Sequence, residues 1–170
     1  MIILVIGPSG VGKSDYGAHV SRAIPGCRFV DLDCALSERW GTPASQMLPE
    51  IGDDAFLDRC QQEVCRLMAS SAEANTIIAV GAGALQSRRA SDWILRHKGP
   101  TVAIVSEPGE VYSRGAARNQ RRSLEEFAQT EYSVYRKALY NAARFQLCVS
   151  GLLVEEARER FVALVRNLTE

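Results

Sequence analysis

"GPSGVGKS", residues 7–14, follows the apolar run Ile2–Ile6 and decides how the rest of the chain is read. It satisfies the pattern G-x-x-x-x-G-K-[ST] in full, with a strand expected before it and a helix, Lys13–Ala23, after it. Glycines let consecutive backbone N–H groups converge on an anion without Cβ clashes. The helix N-terminus aims its unpaired N–H groups and positive dipole end at the same point. Lys13 can reach the outer phosphates of a nucleotide, and Ser14 can ligate Mg²⁺. The expected nucleotide-binding segment is Gly10, Val11, Gly12, Lys13, Ser14 and Asp15, with Ser14 as a metal ligand. The competing reading is a glycine-rich turn with no ligand. A guanine-reading N-K-x-D signature is absent: only Asn119 and Asn141 lie between strands four and five, and neither continues that way. A small kinase is favoured over a GTPase.

Short apolar runs recur at Ile2–Ile6, Arg28–Asp31, Thr76–Val80, Thr101–Val105 and Gln146–Val149, as expected for parallel strands covered on both faces. Helical patterns separate them, at Phe56–Ser71, Arg88–His97, Glu107–Ala117, Glu125–Tyr140 and Val154–Asn167. This alternation predicts an α/β domain with a parallel sheet. Residues 33–55 and 115–124 fit it poorly and read as large functional loops. With 170 residues, 46% hydrophobic and 24% charged, the chain fits one globular domain, residues 1–170. Its formal net charge is zero, which argues against broad nucleic-acid or membrane-surface binding. Five cysteines without paired spacing suggest neither a disulfide framework nor a zinc site. No apolar run approaches a membrane span and no leader precedes the first strand, so a cytoplasmic location is expected; a monomer is the accompanying expectation.

"FVDLD", residues 29–33, puts Asp31 and Asp33 at the expected end of strand two, where residues i and i+2 share a face. Both carboxylates would then point over the carboxyl edge of the sheet, where open α/β sheets bind ligands. Phosphoryl transfer needs one carboxylate for Mg²⁺ or its waters and one to orient or deprotonate the attacking hydroxyl. "AVGAGAL", residues 79–85, gives a glycine turn at the same edge. "RNQRRSL" carries Arg118, Arg121 and Arg122, which could neutralise charge on a transferring phosphoryl group and exclude water.

Taken in order, these segments resemble the shikimate kinase family over about residues 1–165. The matching elements are "GPSGVGKS", "VDLD" with Glu38 and Gly41 downstream, "GDDAF", "VGAGA", the arginine-rich lid and "RKALY". The resemblance implies a three-layer P-loop kinase fold: a five-stranded parallel sheet of order 2-3-1-4-5, a lid at about 115–124 and a small substrate subdomain at about 33–60. It implies ATP and Mg²⁺, the metal held by Ser14, with Asp31 through water. It implies catalytic roles for Lys13, for Asp33 at the acceptor hydroxyl, and for a lid arginine, either Arg121 or Arg122. Arg114 fits the position that packs on adenine. Asp33, Gly81, Ala82, Gly83 and Arg136 are implied to bind the small-molecule acceptor, Arg136 through its carboxylate.

The chain also departs from that pattern. Where the family has F-R-x-x-E, Phe56 is followed by Leu57, and the Glu position is Cys60. Arg59 is no simple stand-in, since two helix positions rotate a side chain by roughly 200°. The glycine turn is "GAG", the lid has Ser123 in place of Pro, and "SGLL" after strand five lacks an adenine-bordering Arg. The expected function is ATP-dependent phosphorylation of a hydroxyl on shikimate or a shikimate-like hydroxy acid. The alternatives are a nucleoside or nucleotide kinase and a non-catalytic ATP-binding relative.

Overall fold

Strand β1 (Ile2–Ile6) runs down the centre of the sheet, and all five of its residues are buried. The computed structural model describes residues 1–70, 74–115 and 122–169. Beside β1 lie β2 (Cys27–Asp31), β3 (Asn75–Ala79), β4 (Thr101–Val105) and β5 (Phe145–Cys148), all parallel, in the order β2-β3-β1-β4-β5. That is the order implied by the resemblance. Side chains alternate across the strand with period two. Leu4 and Ile6 join a core with Leu36, Phe56 and Leu139, while Ile3 and Val5 join one with Val20, Phe161 and Val165. Covering helices on both faces explain why the strands read as continuous apolar runs.

The helices are α1 (Lys13–Ala23), α2 (Leu32–Trp40), α3 (Ala44–Ile51), α4 (Asp53–Ser70), α5 (Ala90–Arg96), α6 (Pro108–Arg114), α7 (Leu124–Glu131), α8 (Val134–Asn141) and α9 (Val154–Thr169). Two differences from the sequence reading matter. Residues 33–55 are not a loop but hold most of α2 and all of α3. Asp31 caps α2, its Oδ1 accepting from the backbone N–H groups of Asp33 (3.1 Å) and Cys34 (3.3 Å). Gly41 ends α2 with φ 68°. Ser37 stitches the two helices, accepting from the Ala44 N–H at 3.0 Å and donating to the Asp33 carbonyl at 2.7 Å. The expected helix over 125–140 is two helices, because the Ser133 hydroxyl accepts from the Arg136 N–H and starts a new one.

Candidate active site

The carboxyl ends of β1, β2 and β3 open onto one cleft of about 440 Å³. It is lined by the phosphate loop with Lys13 and Ser14, and by Asp31, Asp33, Gly81, Ala82 and Arg114. Gly7, Gly10 and Gly12 all have positive φ (151°, 85° and 110°), which only glycine adopts without strain. Lys13 Nζ donates to the loop's own carbonyls at Gly7 (2.8 Å) and Pro8 (2.9 Å), so its ammonium sits inside the cradle. Burial lowers its pKa from 10.5 to about 8, against the opposing pull of Glu131, Asp33 and Asp31.

That shift carries a prediction. The free amine titrates near pH 8, and an anion is held by the ammonium. Metal-free ADP should therefore bind with proton uptake above pH 8, its affinity falling by up to tenfold per pH unit. Calorimetry in buffers of different ionisation enthalpy measures this, and pH-independent binding between 7 and 9.5 would contradict it. For folding the sign is the reverse. The unfolded chain binds the extra proton between about pH 8 and 10.5, so this group's contribution to stability grows as pH rises through that window.

Ser14 Oγ donates to Asp31 Oδ2 at 2.6 Å, so the two residues expected to hold a metal are in direct contact. Asp31 and Asp33 do reach the same cleft, but not from one strand face. Asp31 is the last residue of β2, whereas Asp33 lies in the first turn of α2. The helix start carries Asp33 back across the sheet edge onto Gly81, where a Cβ would overlap its carboxylate. Burial, and then the neighbouring Asp31, raise the pKa of Asp33. Its Oδ1 is buried and without a hydrogen-bond partner, as is Arg136 Nη1. Arg136 does not line the cleft. It is 3% exposed and lies beneath it, Nη2 donating to the Ala82 carbonyl at 2.7 Å. Gly83 is also set back from the cleft, against Leu48 and Phe56.

Among the other expected residues, Val11 is buried in the core and its N–H donates to the Pro8 carbonyl at 3.4 Å. Asp15 lines the cleft, yet its carboxylate is held by both Nε (2.9 Å) and Nη2 (2.7 Å) of Arg158 on α9. That pairing keeps the Asp15 pKa below its usual value. Arg114 sits at the mouth, 3.4 Å from Glu110 Oε2, while Glu110 also accepts from the Gly151 N–H after β5. Arg118 and Arg121 lie outside the described residues. Arg122 is described, 3.8 Å from the buried carboxylate of Glu131. Glu131 is a site residue that sequence reasoning missed: it accepts from the Ser9 N–H of the phosphate loop at 3.1 Å, 122 residues away. Leu57 and Cys60, at the family's Arg and Glu positions, are fully buried in the core with Phe56 and Met47. Arg59 stands over the Trp40 ring, 5.4 Å from its centroid, and supplies no replacement cation. Ser123 stands in a capping box with Glu126, a task the family's Pro cannot perform.

The sheet order and the phosphate loop define a P-loop kinase fold. The chain belongs to the shikimate kinase family, whose model matches residues 9–165. It is similar to threonine synthase-like 1 from Mus musculus, 28% identical over 174 residues that cover 97% of this chain and 22% of that protein. It is similar to the shikimate kinase of Nitrosococcus oceani, 29% identical over 126 residues, 72% of this chain and 62% of that one. Thus the chain spans about a fifth of the first relative's length and under two thirds of the second's. Among solved structures, shikimate kinase from Bacteroides thetaiotaomicron superposes with a TM-score of 0.79 at 21% identity, covering 99% of this chain and 98% of that one.

Proposed function

We propose that this protein transfers the terminal phosphoryl group of ATP to a hydroxyl of a small metabolite, shikimate or a closely related hydroxy acid. The observation that carries the reading is the joint placement of Lys13, Ser14, Asp31 and Asp33 on one cleft, with Asp33 Oδ1 buried and unpartnered. Buried polar atoms without partners in the protein are costly unless a ligand completes them. Family membership and the shikimate kinase relative support the same reading.

In this mechanism the loop amides and the Lys13 ammonium hold the phosphates and neutralise charge on the group being transferred. Ser14 and Asp31 offer one hydroxyl and one carboxylate, a donor set that suits Mg²⁺, which keeps phosphate and water ligands. Bound there, the metal would supply charge neutralisation between the phosphates. Asp33 accepts the proton of the acceptor hydroxyl, and its raised pKa brings it nearer to a base matched to that task. Arg136, behind the Ala82 wall, offers its unpartnered Nη1 to an acceptor carboxylate that enters past Ala82, and Arg114 borders the adenine. An ADP-release assay over cyclic hydroxy acids, polyols and nucleosides tests the reading. ADP release triggered by a hydroxy acid supports it. Silence for every acceptor from folded, ATP-binding protein, or turnover confined to nucleosides, would overturn it.

Loss of the second arginine alters the acceptor pocket rather than the transfer apparatus. Position 57 is core, so restoring the family residue alone should not restore the family contact. Leu57→Arg buries an unpaired guanidinium and should cost about 3–5 kcal/mol in urea unfolding. An unchanged midpoint would show that position 57 can turn toward the cleft.

A further inference from the structure

Glu131 is 4% exposed, at the end of α7, and belongs to none of the motifs. A buried carboxylate persists only where its oxygens are paired. Here each has a partner from a different part of the site. Oε2 accepts from the Ser9 N–H at 3.1 Å, and Oε1 faces Arg122 Nη1 at 3.8 Å. Arg122 is itself held in place: its guanidinium lies 5.5 Å from the Phe127 ring centroid, and its carbonyl accepts from Tyr112 Oη at 2.7 Å. The Glu131 carbonyl accepts from Tyr140 Oη at 3.3 Å, which fixes the end of α7 against α8.

We propose that Glu131 is a positioning residue for the phosphate loop: it anchors the loop through the Ser9 amide, and Arg122 serves as its counter-ion rather than as a direct phosphate contact. A carboxylate so near bound phosphates would repel them. The guanidinium cancels that charge while leaving the hydrogen bond to Ser9 in place. Ser9 directly precedes Gly10 in the loop that leads to Lys13, so slackening it should loosen the cradle without removing any group that touches the nucleotide. The inference rests on the nucleotide-binding reading, and ADP binding by the unaltered protein tests that reading separately.

Direct ADP titration separates the possibilities, since it needs neither acceptor nor turnover. Glu131→Ala should weaken ADP by about tenfold, the scale of one hydrogen bond to a charged group. Glu131→Gln keeps an acceptor for Ser9 and should bind within about threefold of the unaltered protein. Arg122→Met takes this cation away from the carboxylate by the phosphates and should weaken ADP several-fold. Adding Glu131→Gln to Arg122→Met removes the repelling charge as well and should restore ADP binding to within about threefold of the unaltered protein. The proposal is overturned if Glu131→Gln fails to rescue Arg122→Met, the mark of a direct phosphate contact. It is equally overturned if folded Glu131→Ala binds ADP as tightly as the unaltered protein. Should the alanine variant not fold, Arg122→Met in the two backgrounds still distinguishes a counter-ion from a phosphate ligand.

Discussion

Asp33→Asn should lower turnover about a thousandfold, the middle of the range for removing a general base and close to 4 kcal/mol of barrier. The amide matches the carboxylate in shape and stays beside Gly81, but it cannot take the hydroxyl proton. Nucleotide affinity should change little, because in the proposed mechanism the loop amides and Lys13 hold the phosphates from the other side of the cleft. The measurement is a steady-state profile combined with ADP titration. A loss in kcat with ADP binding retained is the expected pattern. Turnover within tenfold of the unaltered protein would remove Asp33 from the chemistry. A non-catalytic binding protein would be indifferent to the change.

Gly81→Ala should cost about a hundredfold in kcat, the penalty typical of shifting a reacting group by an ångström. The sequence suggests that this glycine lets a ligand approach the backbone. In the structure, what approaches it is Asp33: a Cβ at position 81 would overlap the carboxylate. The backbone here cannot easily give way, since the Val80 N–H donates to the Val5 carbonyl at 2.9 Å and ties the turn to β1. The carboxylate must therefore swing out of place. Gly83→Ala is the internal contrast. Its Cβ would meet Leu48 Cδ2 at 3.1 Å and Phe56 Cε1 at 3.5 Å, flexible or tangential neighbours that do not touch the reacting groups. It should leave kcat within a few-fold. Equal effects at the two positions would contradict this division of roles.

What the sequence disclosed follows physical lines. The central strands β1, β3 and β4 were legible because each is a short, mostly apolar run covered on both faces, the half-exposed edge strands β2 and β5 by their place in the alternation, and the phosphate loop because its glycines and Lys13 sit at fixed spacing. Helices α2 and α3 were hidden by punctuation. Gly41, Pro43 and Pro49 read as loop signals, yet Gly41 ends one helix, Pro43 precedes the next and Pro49 falls within its last turn. Asp33 was found for a reason the structure corrects, since a helix start rather than a strand face brings it to the cleft. Glu131 and the Asp15–Arg158 pair were illegible because their partners lie 122 and 143 residues away, and no local pattern marks such a contact.

Phosphoryl transfer itself can be watched by ³¹P NMR of ATP, Mg²⁺, the protein and a cyclic hydroxy acid such as shikimate. ADP should appear together with a phosphomonoester of the acceptor, in equal amounts. Growth of inorganic phosphate in its place, with no ester resonance, would contradict a cleft built to join Asp33 and Lys13 across an acceptor hydroxyl.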